Sequence, residues 1–407
     1  MSRTDPPPDS ARVADAARSF ATVYVHVPFC ARVCPYCDFA VVEGRDDLAD
    51  RYLQALETEI AAAPDWRELA AIFVGGGTPS RFGVDRLRRV VEAVSTRFGL
   101  GEGAEVTLEA NPEDWTPWLA ADLVEAGYTR VSFGAQSFDS NILTALGRRH
   151  GPEAISQAVT TARAAGFGSV SIDLIFGTPG ETPAMWRSTL ERAVALGTDH
   201  VSCYALTVER GTVLGRAVAA GAPGPDPDLQ ADEWEAADRH LTAAGLVRYE
   251  VSNWALPGHA CRYNLAVWAQ GEYTAFGNGA NGFLAGERFA NVRRLDAYLD
   301  RVEAGASTRA SSERIEGWTA EIDRLFVGLR RVAGVADGPG VDALVAGPDG
   351  RRLLDAGVIE HADGRLRVIR PLLTDEVERA VLALEESGAV PAGGEIARTL
   401  GESGGHG

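Results

Sequence analysis

Cys30, Cys34 and Cys37 lie in the run Tyr24-Val-His-Val-Pro-Phe-Cys-Ala-Arg-Val-Cys-Pro-Tyr-Cys-Asp-Phe39, a C-x3-C-x2-C spacing that puts three thiols on one short loop. Three thiolates can hold three irons of a [4Fe–4S] cluster and leave the fourth iron without a protein ligand. The amino and carboxylate groups of S-adenosylmethionine (SAM) chelate such an open iron, and one electron from the reduced cluster then cleaves a carbon–sulfur bond. The protein's share is ligation, orientation and shielding. Structural zinc would want four ligands. The nearest further donors, Asp38 and His26, complete a poor tetrahedral set, and the next cysteine is Cys203. The spacing therefore points to a cluster rather than to zinc.

Other residues suit the same ligand. Gly75-Gly-Gly-Thr-Pro79 lets the backbone pass close to a small molecule without a Cβ in the way, and after a cluster loop it fits the amino group of SAM. Glu109, Gln136, Arg148 and Asp173 offer acceptors and donors for ribose hydroxyls, an amine and a carboxylate. A strand-end carboxylate such as Glu109 or Asp173 alone reads as an ordinary ion-pair partner, and Arg148 alone as a helix cap; the set points to a ligand. His26 reads three ways, as a group that tunes the cluster, touches a substrate or holds the structure. Tyr36, between two cysteines, is expected to pack on the adenine or to shield the cluster.

These side chains need a scaffold. The apolar runs 23–27, 71–75, 105–109, 130–133, 170–176 and 200–206 read as strands, with helical patterns between them. In 46–62, Leu48, Tyr52, Leu56 and Ile60 recur every four residues as one apolar stripe, and Leu87, Val90, Val91 and Val94 form the next. Continuous apolar strands alternating with helices predict a parallel sheet covered on its outer face. Six units fall short of an eight-unit barrel, so the expected fold is α/β, a partial (β/α)6 TIM-type barrel. Ligands in such folds lie at the carboxyl ends of the strands, which is where the motifs above fall.

Beyond the barrel, the Pro/Gly/Asp-rich stretch 221–228 reads as a loop placed to cover the site, followed by a helix over 229–244. Near Trp318 the pattern becomes a helix (Ile322, Leu325, Phe326, Leu329), then a short helix at 352–356, a hairpin turning at Asp363-Gly364 and a last helix over 374–385. That order is winged-helix-like. Such modules often bind DNA, but this chain has 57 acidic against 39 basic residues, net charge −18 and pI about 4.9, which opposes a polyanionic partner. A packing or lid role is expected instead, with no nucleic acid.

Composition narrows the rest. A chain of 407 residues with 45% hydrophobic content exceeds one core of roughly 250–300 residues, so two domains are expected. Every basic residue is Arg, which excludes Schiff-base and P-loop lysine mechanisms. The first 20 residues lack the apolar core of a signal peptide, and no stretch approaches the roughly 18 apolar residues of a membrane span. Five cysteines, three of them in one motif, make no disulfide framework. The expectation is the cytoplasm.

Together these residues resemble the radical SAM proteins similar to oxygen-independent coproporphyrinogen III oxidase, and among them the HemW-type haem chaperones. The most specific pieces are the cluster run, Gly75-Gly-Gly-Thr-Pro-Ser80, Ser132-Phe-Gly-Ala-Gln-Ser137 and Asp173-Leu-Ile-Phe-Gly-Thr-Pro-Gly-Glu181. The resemblance implies that Cys30, Cys34 and Cys37 ligate the cluster and that Tyr24, Gly76, Gly77, Thr78, Glu109, Gln136, Arg148 and Asp173 contact SAM. It also implies a core barrel over 21–252, a connecting region over 253–310 and the winged-helix-like domain over 311–390, flanked by a disordered 1–20 and a flexible 391–407. Phe39 stands where the decarboxylating oxidases usually carry another cysteine, which points to the chaperone branch. The family's His-Asn-x-x-Tyr-Trp haem segment aligns with Cys261-Arg-Tyr-Asn-Leu-Ala-Val-Trp268, so Tyr263 replaces the histidine and Val267 the tyrosine, while Asn264 and Trp268 remain. The run Gly277-Asn-Gly-Ala-Asn-Gly282 lacks a further histidine of the pattern.

Two readings stay open. In the first, Tyr263, Cys261 or His259 replaces the missing ligand and the chain is a haem chaperone serving a haemoprotein acceptor. In the second, haem binding is lost and the chain is an enzyme, a C-methyltransferase using two SAM molecules or a coproporphyrinogen-type oxidative decarboxylase. Both need a one-electron donor such as a flavodoxin or ferredoxin, since only two cysteines lie outside the motif. A cluster with a merely redox or scaffolding role is the third possibility.

Overall fold

Thr22–Val27 (β1), Leu69–Gly76 (β2), Leu100–Ala110 (β3), Arg130–Gln136 (β4), Ser169–Phe176 (β5) and His200–Ala205 (β6) form on the apolar runs of the sequence. In the computed structural model, which describes residues 16–386, they pair in chain order and all parallel. Helices Ala49–Ala61 (α1), Val84–Phe98 (α2), Pro117–Glu125 (α3), Pro152–Ala165 (α4) and Pro183–Ala195 (α5) fill the connections, and Pro227–Ala243 (α6) follows β6. The partial (β/α)6 barrel forms as expected. The extension and tail expected at the two termini fall largely outside the described residues.

Local chemistry sets the helix starts. Thr116, Thr182 and Asp226 accept backbone N–H bonds as N-caps, and Pro117, Pro183 and Pro227 follow at the first helical position, where a missing N–H leaves no bond unmade. The helix expected over 46–62 begins later, because Asp46–Leu48 takes a 3-10 turn before α1. Tyr52, Leu53, Leu56 and Ile60 of α1 are buried, each contributing about 1.5–3 kcal/mol of burial.

The sheet extends past both edges of the barrel. Val247–Arg248 (β7) and Asn253–Ala255 (β8) add antiparallel beside β6. After Arg262–Trp268 (α7), Tyr273–Phe276 (β9) lies parallel to β1, with Asn281–Leu284 (β10), Glu287–Asn291 (β11) and, after Leu295–Glu303 (α8), Arg309–Arg314 (β12) beyond it. Among the described residues the order is β12-β11-β10-β9-β1-β2-β3-β4-β5-β6-β8-β7. These added strands are only two to six residues long and mix polar with apolar residues, so no run of apolar residues announces them.

The described chain divides into two units between Glu313 and Arg314. The second contains helices Gly317–Gly328 (α9), Pro339–Ala346 (α10), Pro348–Asp355 (α11) and Thr374–Glu386 (α12) with a small sheet of Val335–Ala336 (β13), Ile359–Ala362 (β14) and Arg365–Val368 (β15). Asp363 and Gly364 both take positive φ, 53° and 71°, the two-residue turn that hairpin twist demands. Leu325, Val341, Leu344, Leu366, Val377 and Val381 form its core.

A half-buried carboxylate ties α1 to the added strands. Glu59 accepts from Gly277 N (2.8 Å), Asn291 Nδ2 (2.9 Å), Tyr298 Oη (2.8 Å) and Thr308 Oγ1 (2.6 Å). Removing it strands several buried donors at once. Glu59→Ala is expected to cost about 3 kcal/mol, measured by urea unfolding followed through tryptophan fluorescence; an unchanged midpoint would show that the four donors find other partners.

Candidate functional site

The strands alternate inward and outward, and their inward positions are polar: Glu109 on β3, Arg130 and Ser132 on β4, Ser171 and Asp173 on β5, His200 and Ser202 on β6. Together with the loop after β1 they enclose a cavity of about 620 Å³, within the usual range for a small-molecule site. Its lining includes Cys30, Cys34 and Cys37 together with Tyr24, Gly76, Gly77, Thr78, Glu109, Gln136, Arg148 and Asp173. Residues far apart in the chain thus share one space. The stretch 221–228, expected to cover the site, is not part of that lining; its end caps and starts α6 instead.

A hydrogen-bond relay joins two of the three sulfurs. Thr78 Oγ1 donates toward Cys30 Sγ (3.6 Å), Asn111 Nδ2 donates to Thr78 Oγ1 (3.1 Å), and the Arg148 guanidinium donates to Asn111 Oδ1, to Gly134 O (3.0 Å) and toward Cys34 Sγ (3.6 Å). Arg148 Nε is buried without a partner. Burial pushes the Cys30 thiol up to about 11 and raises Cys37 also, so ligation has to displace protons. Among the described residues no three His, Cys, Asp or Glu side chains converge as the ligands of a single ion would. Thiolates that each hold a different iron need no such convergence. Donor type and spacing fit a [4Fe–4S] cluster, and a guanidinium in the cavity lining, that of Arg148, fits a carboxylate such as that of SAM.

The loop is pinned where it returns. His26 is buried outside the cavity lining, with Nε2 against Ala40 O (3.0 Å) and Nδ1 against Tyr24 Oη (3.1 Å). Burial pushes its imidazole down to about 4, so it is neutral, donating from Nε2 and accepting at Nδ1. Of its three readings, the structure gives the structural one. Asn278 adds a second bond to Ala40 O (3.0 Å) while accepting from Tyr52 Oη (3.1 Å). The glycine-rich run that departs from the family pattern therefore anchors the loop. Tyr36 packs beside the small cluster of Ile142, Leu146, Ile175 and Leu206, forming a wall of the cavity.

Two carboxyls face the cavity. Glu109 Oε2 accepts from Gly76 N at 2.9 Å, and burial with the nearby Asp173 charge pushes its carboxyl up to about 7. Asp173 accepts from Ser132 Oγ (3.0 Å) and is raised by burial. Gln136 sits at φ 63° after a register shift between β4 and β5, a bulge of the kind that re-aims a side chain at a site. Sequence reasoning missed Asn111, Ser132, Arg130 and Ser202. The signal was the period-two alternation of polar residues inside otherwise apolar strands.

The segment singled out for haem lies at the other end of the barrel. Arg262 bonds through its backbone N to Glu105 Oε1 (3.0 Å) and through its guanidinium to Gly103 O (2.7 Å), which seats α7 across the early part of β3. Cys261, Tyr263 and Asn264 line the cavity, whereas His259 and Trp268 do not. The Tyr263 ring stacks on Tyr24 (centroids 5.8 Å, 26°) and packs on Phe73 (5.0 Å). Cys261 is buried, and its thiol is pushed up to about 12, by burial first and then by Glu105.

The model of the Radical SAM superfamily matches residues 24–193. A Mycobacterium tuberculosis protein named Heme chaperone HemW is 45% identical over 294 residues, covering 70% of this chain and 75% of its own. The chain belongs to the HemW family of radical SAM proteins. A second HemW, from Bacillus subtilis, is 34% identical over 321 residues, 77% of this chain and 84% of its own. Among solved structures, the Escherichia coli coproporphyrinogen III oxidase HemN, a radical SAM enzyme, superposes with a TM-score of 0.78 over 93% of each chain at 21% identity, a likeness of fold. In this HemW-family chain Phe39, the residue expected to mark the branch, is 67% exposed and lines the cavity.

The glycine turn is tight enough to test. A Cβ on Gly77 would lie 2.9 Å from Cys30 Sγ and 2.8 Å from Pro28 O, closer than real contacts allow. Gly77→Ala is expected to lower iron retained after anaerobic reconstitution several-fold with an unchanged far-UV spectrum. Iron content equal to that of the parent chain would mean that the loop yields.

Proposed function

We propose that this chain is a cytoplasmic haem chaperone that carries a [4Fe–4S] cluster on Cys30, Cys34 and Cys37, binds SAM beside it, and passes haem to an acceptor haemoprotein. The observation that carries the cofactor half is the convergence of the three thiols with Glu109, Gln136, Arg148 and Asp173 on one cavity. The haem half is supported by kinship with proteins named haem chaperones. Tyr263 is the candidate iron ligand within the cavity, since tyrosinate can hold haem iron. The cluster supplies one-electron chemistry at its open iron when SAM is bound. Arg148 pairs with the carboxylate of SAM, while Glu109 and Asp173 face its amine, ribose and sulfonium. The two acids suit the two positive groups of SAM, its amine and its sulfonium. Cys203 and Cys261, the two further cysteines, are buried, so the electron comes from a separate donor, a flavodoxin or ferredoxin. No helix among the described residues is long and apolar enough to cross a membrane.

One observation favours a second reading. Tyr263 and Cys261 are packed into the barrel floor, where an extended macrocycle has little room, and this suits radical catalysis on a smaller substrate. Anaerobic haem titration of the reconstituted chain, with SAM present and Tyr263→Phe in parallel, separates the two. The chaperone reading expects one-to-one binding at micromolar haem, weakened at least tenfold by the substitution. Binding that survives it moves the ligand to His259 or Cys261. Absence of binding sinks the chaperone reading and leaves substrate-dependent 5′-deoxyadenosine formation as the next measurement.

The raised Glu109 carboxyl gives SAM binding a pH dependence. A cationic ligand favours the charged form, which is lost as pH falls below about 7. SAM affinity is expected to fall by up to about tenfold per pH unit below that point, and Glu109→Gln should bind weakly with a flat profile. Equilibrium dialysis between pH 5.5 and 8 checks both; a flat profile in the parent chain would place Glu109 outside the contact.

A further inference from the structure

Behind the cavity wall two carboxyl groups are buried with little to balance them. Glu181, in the turn after β5, is 5% exposed, and Glu233, in the second turn of α6, is 1% exposed. Glu181 Oε2 accepts from Thr178 N at 3.3 Å. Glu181 Oε1, both Glu233 oxygens and the buried Thr178 hydroxyl have no hydrogen-bond partner. The two residues are neighbours: each is acted on by the Gly177 amide, and the Glu233 charge is the largest influence on Glu181 after burial. The other charges acting on them are also acidic, Asp139 on Glu181 and Asp232 on Glu233. The nearby cation on α5, Arg192, is engaged with Phe138, through its carbonyl at 3.2 Å and over its ring at 5.0 Å.

Two adjacent carboxylates without a counter-ion do not both stay charged in a dry site. A single proton resolves the conflict, because a protonated carboxyl donates and its ionised neighbour accepts. We propose that Glu181 and Glu233 share one proton and so form a pH-sensitive latch between the turn 177–181 and α6. The latch has something to hold. Gln230, one turn before Glu233, donates to Leu206 O at 2.9 Å and packs so closely on Gly177 that a Cβ there would lie 2.4 Å from its side chain. Leu206 lines the cavity, and β5, which ends just before Gly177, carries Asp173 and Ile175. The contact between α6 and the ends of β5 and β6 is thus the back of the cavity wall, and its closure depends on a proton rather than on a ligand.

Burial, then the Glu233 charge, pushes Glu181 up to about 8, and burial with the Asp232 charge pushes Glu233 up to about 7, far above the roughly 4.3 of an exposed glutamate. The opened form releases a proton that the closed form keeps, so the latch is complete below the roughly 4.3 of the opened form and weakens progressively as pH rises to about 7–8, where the closed form loses the proton too. Hydrogen exchange of peptides spanning 176–182 and 227–235, corrected for intrinsic rate between pH 5 and 9, reads it directly. Protection should fall by up to about tenfold per pH unit from about pH 5 to about pH 7 and level off above about pH 8. Glu233→Gln replaces the shared proton by a permanent N–H donor and should keep both peptides protected across the range. Glu181→Gln, the second arm, should do the same. Protection independent of pH in the parent chain, or an equally steep fall in both variants, overturns the latch. So does full recovery at pH 9 on adding millimolar Ca2+ or Mg2+, which would make the pair a cation site.

Discussion

The bond path from Cys30 through Thr78, Asn111 and Arg148 to Cys34 is the constraint on which the site depends. It crosses from the loop after β1 to the ends of β2 and β3 and on to the residues beyond β4. Each step spans one strand spacing, so the thiols hold their places only while these strands keep their register. A slip of one residue would turn every inward side chain outward. The pairings Val74 with Leu108 and Leu108 with Val131 therefore decide where the sulfurs sit as much as the cysteine spacing does.

The same register makes a polar interior tolerable. Arg130 is almost wholly buried, yet it donates to Ser169 Oγ (2.9 Å) and His259 O (2.8 Å) and lies 3.9 Å from Glu105. His200 bridges Ser171 (2.7 Å) and Tyr249 (2.8 Å). An unpartnered charge in such a place would cost several kcal/mol, so the floor built by residues 249–268 completes the barrel chemically as well as sterically. Polar atoms left without protein partners stand out against this background. Arg148 lines the cavity and keeps a buried Nε without a partner, whereas the Glu181 and Glu233 oxygens lie behind the cavity wall, where a proton can satisfy them.

The segment 259–268 shows how a motif changes meaning with its surroundings. As a string it differs from the haem-binding pattern at Tyr263 and Val267, and substitution of one ligand by another would be the simple account. In the fold, Tyr263 joins Tyr24, Phe73 and Tyr273 in an aromatic layer, while His259 contributes its carbonyl to Arg130. Part of what reads as ligand chemistry is the closure of the barrel floor.

Much of the fold was legible because its signals are local. Apolar runs fix where β1 to β6 form, four-residue stripes fix the helices, and the Thr-Pro and Asp-Pro pairs start three of them. The cluster loop was equally plain, since three thiols within eight residues need no distant partner to be recognised. The tertiary structure alone decided what depends on contacts between distant segments: that Asn278 and His26 converge on Ala40, that Asn111 joins two cysteines through Arg148, and that Glu181 meets Glu233. Those pairings span from 14 to 238 residues, and a linear pattern carries no trace of them because they are set by sheet register and by the desolvation that register imposes.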